Sequence, residues 1–291
     1  MNHVKRKSNI AFFGTPELTI PLLNSLKENN LLPTLLVTTK DMPKGRGLVL
    51  TPSPAKLWAI ENNIPYLQPE KIDSDFIKKL KEKQFDLFVV VAYGKILPQE
   101  LIDLPTHGTI NIHYSLLPKY RGATPVESAI LNGDTETGVC IQKMQFKLDT
   151  GPILALENVV IPREITASDL RTMLNEKAKD MLSRVIKEYI SGNITPIAQD
   201  EHLASYCKKI KKEDGLIDIH DNSIVNYRKF RAYFSWPRTY FFALRKNDTS
   251  KKIRVIISSA EFKENQFAIT KVIPEGKKEM SFDQFVKIYT Y

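Results

Sequence analysis

The 291-residue chain is 42% apolar, enough for the core of one large or two modest domains, and it has no run of 18 or more apolar residues, which argues against a membrane span. Its net charge of +9 is concentrated: residues 204–291 hold 18 Lys+Arg against 10 Asp+Glu, while residues 1–203 hold 24 against 23. A basic final third suits a polyanion such as RNA, and equally a solvated surface.

Behind the Lys5-Arg6-Lys7 cluster, Ile10–Phe13 is too short for a secretory signal and predicts a first strand ending at Gly14. Leu18, Leu22, Leu23 and Leu26 then share one helical face. Leu31–Thr38 predicts a second strand, and Ala55–Asn63 and Phe76–Lys83 predict helices. Asp86–Ala92 (DLFVVVA) has the unbroken apolar character of a parallel strand buried on both faces. A short strand over Gly108–Ile112, a helix over Thr124–Asn132 and a strand over Gly138–Met144 follow. This β/α alternation predicts a Rossmann-like, doubly wound parallel sheet.

A helix starts at Thr166, with Asp169 at the capping-carboxylate position, and ends near Ser191-Gly192. Beyond it the pattern changes to short strands at Tyr240–Leu244, Lys252–Ile257 and Gln266–Val272, with a helix around Asn222–Tyr233. A small OB-like β-barrel accounts for this. The expected division is a catalytic domain over 1–190, a linker over 191–205 and a barrel over 206–291.

Gly14-Thr15-Pro16 has one glycine where a dinucleotide-binding loop needs three, and no Walker A sequence occurs. The sheet is therefore expected to bind something other than NAD or ATP. Cys140 and Cys207 have no metal-ligand spacing and read as reduced, buried thiols; no metal site is expected.

The densest polar constellation is Asn111-Ile112-His113-Tyr114-Ser115-Leu116-Leu117-Pro118-Lys119-Tyr120-Arg121-Gly122, directly after a strand. Ligands of open α/β sheets bind at the carboxyl ends of strands. Asn111 and His113, two apart, point the same way on an extended segment. Asp149 lies in Leu148-Asp149-Thr150-Gly151, past the next strand. Acyl transfer to an amine needs a donor for the growing oxyanion, a proton shuttle and a carboxylate to orient it or take a proton. An Asn, a His and an Asp supply those functions. Asn-x-His or Asp-Thr-Gly alone is more often a satisfied loop or turn.

Together, Asn111-x-His113, Ser115-Leu116-Leu117-Pro118-x-x-x-Gly122 and Leu148-Asp149-Thr150-Gly151 resemble the folate-dependent formyltransferase family. Val91-Ala92-Tyr93-Gly94 and Gly133-Asp134-x-x-Thr137-Gly138 extend the resemblance over roughly residues 9–190. It implies catalytic roles for Asn111, His113 and Asp149. It also implies a tetrahydrofolate pocket lined by Ser115, Leu116, Leu117, Pro118, Ala92, Tyr93 and Gly94, with 10-formyltetrahydrofolate as co-substrate.

Three features resemble the branch of that family acting on initiator methionyl-tRNA. Pro43-Lys44-Gly45-Arg46-Gly47 is similar to its Gly-Arg-Gly loop, which implies tRNA contacts for Arg46 and Lys44. Lys212-Glu213-Asp214-Gly215, Trp236-Pro237 and Pro274-Glu275-Gly276-Lys277-Lys278 are similar to its second domain. That domain is also where the positive charge sits, with Lys208 and Lys209 at its entrance placed to follow phosphates. Ile219 stands where the family often has Trp, Arg238 where it has Gly, and Gln145 where an acidic residue is common. The implied protein is a cytoplasmic monomer serving translation initiation. A formyltransferase acting on an amino-sugar nucleotide shares the same catalytic residues and is the alternative.

Overall fold

The computed structural model describes residues 8–45 and 47–291, so the Lys5–Lys7 cluster and Arg46 lie outside the described residues. Two compact units emerge. The first holds the chain up to Arg121, Gly138–Val159 and Thr172–Tyr206; the second holds Gly122–Thr137, Val160–Arg171 and Cys207–Tyr291.

In chain order the elements begin β1 (Ile10–Gly14), α1 (Thr19–Glu28), β2 (Leu35–Val37), β3 (Met42–Lys44), β4 (Val49–Thr51), α2 (Pro54–Glu61), β5 (Tyr66–Leu67) and α3 (Ser74–Lys81). Next come β6 (Leu87–Val91), α4 (Gln99–Ile102), β7 (Thr109–His113), β8 (Arg121–Gly122), α5 (Pro125–Asn132), β9 (Glu136–Lys143), β10 (Ile153–Val160) and α6 (Ala167–Ile190). The chain closes with β11 (Tyr206–Cys207), α7 (Ser223–Ala232), β12 (Tyr240–Arg245), β13 (Asp248–Lys263), β14 (Gln266–Pro274), β15 (Met280–Ser281), α8 (Phe282–Ile288) and β16 (Tyr289–Thr290).

Helix starts follow local chemistry. Ser53 caps α2 by accepting from the Lys56 amide, with Pro54 at the first helical position. Asp73 caps α3 through the Phe76 amide. At α6, Thr166 Oγ1 takes the Asp169 amide and donates back to the Asp169 carboxylate, the arrangement expected from the sequence.

A seven-stranded sheet has the order β10-β9-β7-β6-β1-β2-β5. Strands β5, β2, β1, β6 and β7 run parallel, and every residue of β6 is buried. Strand β9 runs antiparallel to β7, so the sheet is parallel-dominant rather than wholly parallel. The parallel sheet expected from the β/α alternation thus holds for five strands and not for β9, because a buried apolar run does not encode its own direction. Strand β10 was not expected: its mixed burial is that of an edge strand, and its residues lack a clean alternation. The antiparallel β3–β4 hairpin was also unforeseen.

The second unit carries a five-stranded antiparallel sheet, ordered β15-β14-β13-β12-β16. It is curled and barrel-like, with register shifts in β13 between Ile257 and Ala260 that bend the strand. Phe241 and Ala243 of β12, Val255 and Ile257 of β13, and Tyr227 and Phe230 of α7 share one buried cluster. Cys140 is buried, whereas Cys207, expected to be buried, is half-buried and its Sγ accepts from the Thr124 amide. Among the described residues no helix is long and apolar enough to cross a membrane, and no group of three or more His, Cys, Asp or Glu is placed to hold a metal.

Candidate active site

Strand β7 is the scaffold. Asn111 pairs with Val90 on one side and Gln142 on the other, and His113 pairs with Cys140. The two-residue spacing puts Asn111 and His113 on one sheet face. Asn111 is half-buried, and its amide makes no side-chain hydrogen bond among the described residues, which leaves it available to a ligand.

His113 is 5% exposed. Its Nε2 lies 2.9 Å from the Tyr120 carbonyl oxygen, and a carbonyl can only accept, so Nε2 carries the proton. The bare Nδ1 faces Asp149 Oδ2 at 3.7 Å. Burial pushes the imidazole below its ordinary 6.5, against the opposing pull of the Asp149 carboxylate and the Tyr120 carbonyl. Burial therefore favours the neutral imidazole, which leaves the Nδ1 lone pair beside a carboxylate.

Asp149 has a φ of 53°, in the left-handed region. Its Oδ1 accepts from Gln142 Nε2 at 2.9 Å. The structure thus brings Asp149 to His113 across a 36-residue separation in sequence.

The expected folate residues divide by exposure. Ser115 is fully buried, and its hydroxyl donates to the Lys119 carbonyl at 2.6 Å. Leu117 is buried, while Leu116 and Pro118 are half-buried. After β6, Ala92 and Gly94 are exposed with φ of 46° and 81°, so the turn presents its backbone. The Tyr93 side chain turns inward instead, edge-on to Phe13 at 5.5 Å, and burial raises its hydroxyl pKa to about 12. Of the expected tRNA residues, Lys44 is exposed on the β3–β4 hairpin, among exposed Met42, Val49 and Leu50. Lys208 and Lys209 are exposed, and the Lys208 carbonyl accepts from Thr124 Oγ1.

Three residues that sequence reasoning passed over hold this arrangement. Gln142 fixes the Asp149 carboxylate. Gln199 Nε2 donates to the carbonyls of Asp149 and Gly151 at 2.9 and 2.7 Å. Arg121, with no exposed surface, donates to Gln199 through Nε and Nη2. Arg121 sits inside the conspicuous 111–122 block, but nothing in its spacing indicates a buried guanidinium; Gln142 and Gln199 carry no local signal at all.

Residues 8–186 match the formyl transferase family. A methionyl-tRNA formyltransferase of Clostridium acetobutylicum is 37% identical over 96% of this chain and 96% of its own length. That of Thermodesulfovibrio yellowstonii is 37% identical over 96% and 95%. Among solved structures, a methionyl-tRNA formyltransferase from Clostridium thermocellum aligns with a TM-score of 0.63 at 17% identity, covering 94% of this chain and 99% of that one. A sugar 3N-formyl transferase aligns at 0.62 and 20% identity over 94% and 99%. At those identities the structural likeness is one of fold. The sequence similarity, which runs the length of both chains, is closer, and by it this chain belongs to the methionyl-tRNA formyltransferases of the formyl transferase family.

Proposed function

We propose that the protein transfers a formyl group from 10-formyltetrahydrofolate to the α-amino group of initiator methionyl-tRNA, as a cytoplasmic monomer serving translation initiation. The observation that carries this reading is His113, oriented by the Tyr120 carbonyl and facing Asp149, in a chain similar to methionyl-tRNA formyltransferases along its whole length.

The residues present fit a reduced folate. The open backbone of the Ala92–Gly94 turn offers hydrogen-bonding edges beside Asn111, and a Cβ added at Gly94 would meet nothing within 4 Å. Exposed Ile96 follows that turn, and exposed Phe146 and Leu148 lie on the segment bearing Asp149, which supplies apolar surface for flat rings. When bound, the donor supplies an activated acyl carbon.

The remaining work falls to the chain. The Asn111 amide donates to the oxygen on which charge grows as the amine adds. An α-amino group with a pKa of about 7.7–8.0 arrives largely protonated at neutral pH. The Asp149 carboxylate draws off that proton. His113 Nδ1 accepts the proton that the attacking nitrogen sheds as it adds, and passes it to the departing folate nitrogen. Ser115 is committed to the Lys119 carbonyl, and burial pushes the Cys140 thiol far up, so neither serves as a nucleophile. Direct transfer needs none. Lys44, Lys208 and Lys209 are assigned to the tRNA backbone, where point charges position without reading sequence, and Arg46 to the tRNA acceptor end.

The test is formyl transfer to charged initiator tRNA, beside an amino-sugar nucleotide acceptor and a no-acceptor control. Transfer to the tRNA alone is expected. Transfer to the sugar alone would assign the chain to the acceptor class of the sugar formyltransferases that share its fold.

A further inference from the structure

Asp149 holds a backbone conformation that L-residues rarely adopt, and its carboxylate must still point at His113. Gln142 fixes the carboxylate, but the turn itself is held from elsewhere. Gln199 Nε2 takes the carbonyls on both sides of Thr150, those of Asp149 and Gly151, at 2.9 and 2.7 Å. Its amide can lie only one way round. Gln199 Oε1 accepts from Arg121 Nε at 3.0 Å and Nη2 at 2.8 Å, and a guanidinium has no acceptor to offer the other end.

Arg121 is itself immobilised. It has no exposed surface, forms a two-pronged pair with Glu201 at 2.9 and 2.8 Å, and donates to the Tyr206 hydroxyl at 3.2 Å. The segment bearing Gln199 is pinned at both ends. Ile197 exchanges two backbone bonds with Ile153, at 2.7 and 2.9 Å. At the other end the Ser205 carbonyl accepts from the Arg121 amide, and the Ser205 hydroxyl accepts from the Tyr120 amide, both at 2.9 Å. Tyr120, at a φ of 59°, is the residue whose carbonyl holds His113 Nε2. One stretch of chain therefore braces both halves of the His113–Asp149 pair.

We propose that Gln199, locked by Arg121, is a positioning residue for the Asp149 turn, and that residues 197–205 are a working part of the acyl-transfer site rather than a connector. This rests on the reading of His113 and Asp149 given above. Loss of Gln199 frees the turn without removing a reacting group, so turnover falls while ground-state binding is kept.

The test is a kinetic cycle on the full-length enzyme with Gln199→Met, which keeps volume but removes both ends of the amide, and Gln199→Ala. Each is combined with Asp149→Asn, and melting temperatures are followed throughout. Displacement of a catalytic group by about an ångström costs roughly 100-fold. A kcat lowered about 30-fold or more, with KM for folate and tRNA within about 3-fold, is therefore expected. Because Gln199 acts only through the Asp149 turn, adding Gln199→Met to Asp149→Asn should cost less than about 2-fold more. Wild-type kcat in folded Gln199→Met, or a loss that multiplies in full on Asp149→Asn, overturns the proposal. Wild-type turnover in Asp149→Asn alone overturns the reading of the site, and the proposal with it.

Discussion

Asp149 Oδ2 stands 3.7 Å from His113 Nδ1, close enough for its field to stabilise an imidazolium and too far for a hydrogen bond that would block the nitrogen. The opposite ring nitrogen is tied to the Tyr120 carbonyl. The imidazole is thereby held in one tautomer, with its basic atom available.

His113→Ala should lower kcat/KM by about 10²–10⁴-fold with little change in melting temperature, as expected when a general acid–base is removed. Full turnover in a folded His113→Ala enzyme would remove His113 from the mechanism.

The pH dependence has a defined sign. Burial sets His113 below its ordinary 6.5, so activity should persist below that pH and then fall as the imidazole takes a proton. The Asp149 carboxylate acts in the raising direction, so Asp149→Asn should move the acid limb of the residual activity to still lower pH. Stability follows the same group. The folded state binds fewer protons than the unfolded chain, so the stability present above 6.5 is lost as pH falls through the folded-state value. Melting temperatures of wild type and His113→Gln, recorded across this range, check it: only the wild type should show that component of the decline.

Gly151 tolerates no side chain. A Cβ there would lie 1.7 Å from the Lys143 carbonyl oxygen, which is backbone and cannot swing aside. Gly151→Ala should cost about 2–4 kcal/mol and lower kcat as the Asp149 turn is pushed from β9. Urea denaturation and steady-state kinetics give both readouts; an unchanged midpoint would contradict the packing described.

Arg238, read from the sequence as standing where the resembled family has glycine, adopts a φ of 68°. That conformation costs an L-residue about 1–2 kcal/mol, part of which glycine gives back through its looser unfolded chain. Arg238→Gly should therefore stabilise the protein by about 0.5–1 kcal/mol, visible as a higher melting temperature. A decrease would mean that the guanidinium makes a compensating interaction.

Lys208→Ala/Lys209→Ala should raise KM for methionyl-tRNA and flatten its dependence on salt, by about one unit of log–log slope for each phosphate that is no longer neutralised. KM for the folate should stay unchanged. An unaltered salt slope would leave these lysines as solvated surface.

Residue chemistry and periodicity alone determined much of this protein. The apolar run of β6, the cap of α6 and the Asn-x-His spacing on β7 are local features, each readable from neighbours a few residues away. The 111–122 block and Leu148-Asp149-Thr150-Gly151 resembled a family closely enough to suggest which residues react. Only the tertiary structure decided how they are held. The direction of β9, the inward turn of Tyr93, the tautomer of His113 and the bracing of Asp149 by Gln199 and Arg121 depend on partners up to 80 residues away. A glutamine amide or an arginine has no sequence signature for burial, because what makes it structural is the set of donors and acceptors that folding brings to it.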